Sequence, residues 1–359
     1  MKQFYKFMFA SAFGLIIGIF LILIIAVGIG ASVGGDKKVE VKENSILTID
    51  LSTPVVDRGI DNPLENFNPS SMKVDNKLGL NNILKSLDHA ATDDRIKGIF
   101  LDLKGVAAGA ATTEEIREAI LKFKESGKFV VSYGEGYTVK SYWLASVADE
   151  VWLNPEGMVE FQGLAAQIMF FKTMLEKLEI DPQIIRYGKF KSAVEPLIME
   201  QMSEANREQI MSYVGSIWNR MVENMGESRG LTVSELNHYA DAALIRNADS
   251  CITYNLVDKL MYRDEVIAEL KSRLGVDEDD DIESIGIDTY ADVPESLKED
   301  DKAYSKERIA IVYATGGIES GSGDNETIGS DRIAKAIRDA RRDEDVKSIV
   351  LRVNSPGGS

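Results

Sequence analysis

The sequence has 359 residues, 44% hydrophobic and 28% charged, which is ordinary for a globular protein and long enough for a membrane segment, one full domain and the start of another. A formal charge of −17 argues against nucleic acid as a partner, because affinity for a phosphate backbone comes from clustered Lys and Arg. A single cysteine, Cys251, excludes an intrachain disulfide and a thiolate metal cluster, and reads as a small buried hydrophobe in a helix.

No charged residue lies between Lys6 and Asp36, and Phe13 to Val27 is almost wholly Ile, Leu, Phe, Val, Ala and Gly. A bilayer span needs about 20 such residues. Lys2 and Lys6 precede the stretch, so the positive-inside rule keeps the N-terminus in the cytoplasm and exports the rest. Small residues at Ala31-Ser32-Val33-Gly34 leave a cleavable signal peptide as the competing reading, but its apolar region is usually only about 7 to 15 residues. Residues 1–35 are therefore expected to form an uncleaved signal anchor.

Residues 36–276 read as a first domain. After a charged spacer to Asn44, Ile46–Leu51 is expected as a strand, and 53–79, with Pro54, Pro63 and Pro69, as a long surface loop. Ile83, Leu84, Leu87 and Ala90 have helical spacing, and Gly98–Leu103 follows as a strand. A helix over Thr113–Lys124 leads to the strand Phe129–Tyr133. Strands alternating with helices imply βαβ units and a mainly parallel sheet.

Further along, Ser203 is placed to cap a helix carrying Ile210, Val214, Ile217, Trp218, Met221 and Met225 on one face, which reads as packing surface. The acidic segment 277–304 reads as an interdomain linker; it lacks the glycine at the sharp turn of an EF-hand loop. Residues 305–359 open a second domain with the strand Arg308–Tyr313.

A repeat supports two related domains. At a constant offset of 250, residues 83–103 recur in 333–353, with identities at Ile83/Ile333, Lys85/Lys335, Ala90/Ala340, Asp93/Asp343, Lys97/Lys347, Ile99/Ile349 and Leu101/Leu351. Solenoid repeats have periods of about 20 to 50 residues, so this one reads as a domain duplication. On a domain-size argument the second copy is unfinished, with about 200 residues to come.

Chemistry has few places to sit. The histidines are His89 and His238; His89 aligns with Asp339 on a helix face, which suggests exposure to solvent. No His, Cys or carboxylate pair has zinc-ligand spacing, no cofactor is implied, and Gly28 and Gly30 lie in the apolar stretch, outside the strand–turn–helix setting of a dinucleotide fingerprint. Strand Ser348–Val353 runs into Asn354-Ser355-Pro356-Gly357-Gly358-Ser359, where glycines let backbone N–H groups approach a ligand, as in an oxyanion hole, although a plain turn has the same composition. In Tyr187-Gly188-Lys189-Phe190-Lys191-Ser192-Ala193-Val194-Glu195-Pro196 a lysine sits among apolar residues. Burial would lower its pKa toward that of a general base, but on the residues alone a surface lysine is the favoured reading.

At these two segments the chain resembles the signal peptide peptidase A family (protease IV, peptidase family S49) in its long duplicated form. The resemblance extends over practically all of residues 1–359. It implies a ClpP/crotonase-like spiral of βαβ units, tandemly duplicated, with an N-terminal transmembrane helix and a Ser/Lys dyad that hydrolyses peptides, signal peptides among them. Carried over, the general base falls on Lys191 and the oxyanion hole on Gly357 and Gly358. The nucleophile has no counterpart here. Registering Tyr142-Trp143 on the family's serine motif puts Val139 at the serine position, so the second-half serine is expected at about residue 390, and the 359-residue chain itself is expected to be inactive. Ser192, adjacent to Lys191, and Ser359, in the oxyanion loop, are poor substitutes.

The resemblance further implies a homo-oligomer, a tetramer, acting on membrane-associated peptides from the extracytoplasmic side of the inner membrane. The alternatives are a crotonase-type CoA-thioester enzyme, against which the anchor and the Lys191 segment argue, and a noncatalytic membrane-anchored scaffold.

Overall fold

The structure is a computed structural model; it describes residues 2–33, 39–59, 67–68, 73–74, 77–293, 306–324 and 326–358. Two compact units result, residues 1–40 and 41–359. The first holds helix α1, Lys2–Val33. Among the described residues no helix is long and apolar enough to cross a membrane. The side chains over 22–33 lie outside the described residues, so the expected span rests on the sequence of that segment.

The second unit opens with β1 (Ser45–Leu51), the short strands β2 (Val55–Val56), β3 (Phe67–Asn68), β4 (Lys73–Val74) and β5 (Leu78–Gly79), then α2 (Leu80–Thr92), β6 (Ile96–Val106), α3 (Ala110–Lys124), β7 (Phe129–Gly134), α4 (Val139–Ala145) and β8 (Glu150–Leu153). Next come α5 (Lys172–Lys177), α6 (Glu195–Ile198), α7 (Glu204–Arg229), α8 (Val233–Asp241), α9 (Ala248–Thr253), β9 (Lys259–Leu260), α10 (Arg263–Leu274), β10 (Ser284–Gly286) and α11 (Ile287–Tyr290). The chain closes with β11 (Arg308–Thr315), β12 (Gly317–Glu319), β13 (Thr327–Gly329), α12 (Ser330–Arg342) and β14 (Val346–Asn354). Ser203 caps α7 as expected, its Oγ accepting from Asn206 N at 3.1 Å.

Six strands form one parallel sheet in the order β10-β1-β6-β7-β8-β9. One face carries Ile46, Phe100, Val131, Tyr133 and Trp152, which pack against Val266, Leu270 and Leu274 of α10. Residues of the opposite parity, among them Leu47, Ile49, Ile99, Leu101, Val130 and Val151, are fully buried as well. A parallel sheet covered on both faces explains why its strands read as continuous apolar runs. Each fully buried side chain of this kind contributes about 1.5–3 kcal/mol relative to exposure.

Three sequence expectations change here. The segment 53–79 is not simply a surface loop, because β2 and β5 pair and Asp57 and Gly59 are buried; parts of it lie outside the described residues. The acidic segment 277–304 is in part built into the six-stranded sheet: Ser284–Gly286 pair with Ile46–Thr48 at the sheet edge, and Ile287 and Tyr290 of α11 are buried. Tyr290 also accounts for His89, which is half-buried and stacked on its ring at 5.4 Å, not solvent-facing.

The β1–α2–β6 and β11–α12–β14 units share fine detail. Helices α2 and α12 begin and end at positions 250 apart. The register skips one residue at equivalent places, Ser45↔Ile96 then Ile46↔Gly98, and Arg308↔Val346 then Ile309↔Ser348. After each helix an aspartate carboxylate accepts from a backbone N–H two residues on, Arg95 N→Asp93 Oδ1 and Asp345 N→Asp343 Oδ1. Cover distinguishes the two: on β11 and β14, Ile309, Ile311, Val350, Leu351 and Val353 are exposed.

Candidate active site

The glycine loop leaves the end of β14. Asn354 O accepts from Gly316 N at 2.9 Å, and Gly357 O from Ile318 N at 3.0 Å, so the loop runs along β12 and Gly358 bridges to Ile318. Both glycines have positive φ, +106° at Gly357 and +153° at Gly358, a region that L side chains rarely adopt. At Gly358 a Cβ would lie 2.2 Å from Ile318 O, so glycine alone fits. The amide of Gly357, expected as an oxyanion donor, instead donates to Ser355 Oγ at 3.0 Å, and that hydroxyl donates to Gly316 O at 2.7 Å.

The first half has the matching loop without the glycines. Val55 N donates to Ala107 O at 3.0 Å, the counterpart of Ile318 N to Gly357 O. Beside it α4 starts at Val139, after the cap Thr138, whose Oγ1 accepts from Ser141 N. This is the strand-then-helix setting expected for a nucleophile, with valine at the position. The next residue, Lys140, donates from Nζ to Ala108 O at 2.8 Å, and burial holds its pKa below the usual lysine range. This contact went unforeseen because nothing in the local sequence distinguishes Lys140 from a surface lysine.

Lys191 lies in an extended segment between α5 and α6 and lines a pocket of about 430 Å³ with Ile185, Arg186, Tyr187, Phe190 and Gln209. Its side chain is exposed, so the burial expected to prepare it as a base is not supplied by the folding of this chain. Lys189 pairs with Glu208 at 2.9 Å, and Ser192 Oγ donates to Gln209 Oε1 at 3.3 Å.

The segment is organised from beneath by Glu195, 2% exposed. Its carboxylate accepts from Ser203 Oγ at 2.7 Å, Ser203 N at 3.2 Å and Asn206 Nδ2 at 2.9 Å, with Arg186 at 3.6 Å. Burial pushes its pKa up, but these donors and the guanidinium outweigh that and hold it below the usual glutamate range. Arg186 in turn donates to Lys191 O. Among the described residues, no hydrogen bond or ion pair joins this segment to the glycine loop.

Peptidase family S49 matches residues 122–277, a span that holds α4, Lys191 and Glu195. Over that span the chain is similar to peptidase family S49. It is similar to Protease 4 of Salmonella typhi, 32% identical over 96% of this chain and 57% of that protein, and to Protease 4 of Haemophilus influenzae, 31% identical over 95% and 57%. Serine protease SPPA, chloroplastic, of Arabidopsis thaliana is 28% identical over 89% of this chain and 46% of that protein. The chain thus spans about half the length of the curated relatives it matches. A solved structure, that of a mutant of the 1510-N membrane-bound stomatin-specific protease, aligns at 9% identity over 68% of this chain and 97% of that one with a TM-score of 0.36, a likeness too low to decide any detail of the site.

Proposed function

We propose that the protein is a serine endopeptidase of the S49 type, with Lys191 as general base and the Gly357–Gly358 loop as oxyanion receptor. The observation that carries this reading is the S49 match over 122–277, which contains the Tyr187–Pro196 segment, together with relatives named as proteases along nearly the whole chain. In this reading the chain is a tandem duplication of a ClpP/crotonase-like unit, which the shared register skip and the offset of 250 support. The nucleophilic serine lies outside residues 1–359, at about position 390 by that offset. The exposed apolar residues of β11 and β14 are the surface on which the rest of a second domain would pack.

The chemistry follows from the groups involved. The neutral amine of Lys191 takes the proton of the serine hydroxyl as that oxygen attacks the scissile carbonyl, then returns it to the departing amine. The oxyanion needs backbone donors, each worth about 3–4 kcal/mol in the transition state. The Gly357 amide can serve only after Ser355 Oγ releases it. Lys191, exposed in the single chain, must be desolvated by a second subunit or a further domain, which fits the proposed homo-oligomer, a tetramer. The uncharged stretch before Asp36 would anchor the protein in the inner membrane, N-terminus in the cytoplasm, with signal peptides as substrates at the extracytoplasmic face.

A serine-reactive fluorophosphonate probe and a fluorogenic peptide test the proposal. The 359-residue chain should remain unlabelled and inactive, and a polypeptide extended beyond Ser359 should label and cleave. Labelling of Ser192 or Ser359 in the shorter chain would overturn the assignment. Absence of hydrolysis in the extended one would favour the scaffold reading, which the occupied Gly357 amide also fits.

A further inference from the structure

We infer that Asp57 is a positioning residue for the glycine loop: a buried carboxylate from the first half of the chain that fixes the end of β14, from which the loop departs. The inference rests on reading that loop as the oxyanion receptor. The Asp57 side chain is 3% exposed. Its Oδ1 accepts from Arg352 Nε at 2.7 Å and its Oδ2 from Asn354 Nδ2 at 2.8 Å, with Thr315 Oγ1 at 3.5 Å. The remaining arms of the Arg352 guanidinium reach the Glu115 carboxylate on α3 at 3.0 and 2.7 Å.

Arg352 and Asn354 are two apart on a strand, so they project from one face. Asp57 therefore holds the last two side chains of that face immediately before Ser355, the residue that carries the Gly357 amide. A buried carboxylate is costly unless its partners are in place. Sliding or fraying of the β14 end would leave Asp57 without them, so its burial resists such motion.

The repeat shows that the contact is particular to the second half. The counterpart of Arg352 is Asp102, which pairs within its own domain with Arg263 at 2.7 and 3.0 Å. The counterpart of Asn354 is Lys104, exposed and 3.7 Å from Asp50. A charge of opposite sign thus stands where the loop has Ala107 and Ala108, and the link between halves occurs where the loop has Gly357 and Gly358.

Hydrogen exchange read by mass spectrometry on the 359-residue chain tests this, in peptides covering 314–319 and 352–358. Asp57→Asn keeps the shape and loses the charge. The amides of Gly316, Ile318 and Gly357 should exchange roughly tenfold faster, the change expected when one charge-assisted hydrogen bond is lost from a local opening equilibrium. Amides of β6 and β7 should stay within about twofold, and Glu115→Gln should give a smaller rise in the same loop peptides. If Asp57→Asn does not fold, Arg352→Lys, which loses the two-carboxylate fork, carries the same expectation. Unchanged exchange at Ile318 and Gly357, or an equal rise across β6 and β7, would overturn the inference. The readout does not depend on hydrolysis, so failure of the Asp57 contact to hold the loop is distinguished from failure of the peptidase reading. A loosened loop without loss of turnover in the extended polypeptide would instead count against the oxyanion role.

Discussion

Arg186 donates from Nη1 to the backbone carbonyl of Lys191 at 3.1 Å while standing 3.6 Å from the buried carboxylate of Glu195. The main chain at Lys191 is thus tied through one guanidinium to the start of α7. Glu195→Gln keeps the volume but removes the charge that holds Arg186. In the extended polypeptide, turnover should fall about tenfold with little change in KM, the signature of a misplaced catalytic group. Unaltered turnover would show that Arg186 and Glu195 serve the fold alone.

Lys191 and Lys189 differ in what they touch. Lys189 is held by an exposed pair with Glu208 and sits 4.8 Å over the Phe190 ring, and pairs of this kind contribute about 1 kcal/mol or less. In the extended polypeptide, Lys189→Ala should change peptide hydrolysis by less than about threefold, whereas Lys191→Ala should lower it by about a hundredfold or more with folding intact. Circular dichroism and steady-state kinetics on the two variants separate the outcomes.

Acid should destabilise the fold through Asp93. Burial raises its pKa, but two hydrogen bonds from the Arg95 side chain, one from the Arg95 amide and one from Tyr290 Oη outweigh burial and bring it down to about 2 from 3.8. A carboxylate depressed in the folded state stabilises above its unfolded pKa, and that contribution is lost as pH falls through the folded value. The loss should run from about pH 4 to about pH 2 and amount to roughly 2 kcal/mol. Chemical denaturation over that range should show a shallower decline for Asp93→Asn than for the parent.

Arg117 is 1% exposed, and its hydrogen bonds go to neutral acceptors: Trp143 O at 2.7 Å, Ser146 Oγ at 3.0 Å, Asn224 O at 2.7 Å, and Ser228 Oγ. Burial lowers its pKa to about 10. It gathers carbonyls of α4 and α7 onto α3. Arg117→Met fills the volume but leaves two of those carbonyls without this donor, and should cost about 3 kcal/mol in thermal unfolding. A loss below about 1 kcal/mol would mean that water replaces the guanidinium.

Gly358→Ala should loosen the loop. The substituted residue would be held at φ +153° with its Cβ against Ile318 O, at an expected cost of about 2 kcal/mol or more. Proteolysis near 354–358 should accelerate. No change in cleavage would show that the loop can move off β12 freely.

Periodicity and punctuation in the sequence marked β1, α2, β6, α3, β7, α7, β11 and β14 to within a few residues, because each buries a continuous run or stripe that local pattern reveals. The offset of 250 likewise identified the two units that later share a register skip. Other features depend on contacts between residues far apart in sequence, which no local pattern records. Ser284–Gly286 follows an acidic run yet joins the sheet, because the free edge of β1 supplies its hydrogen-bond partners. Asp57 sits in a proline-rich stretch and is buried because Arg352 and Asn354 reach it from almost 300 residues downstream. Capture of the Gly357 amide by Ser355 was equally out of reach, since a motif fixes residue types and spacing, whereas the exposure of Lys191 is what its local sequence alone favoured, against the burial that a general base needs. Solvent access and the donor's partner are set by what packs around them.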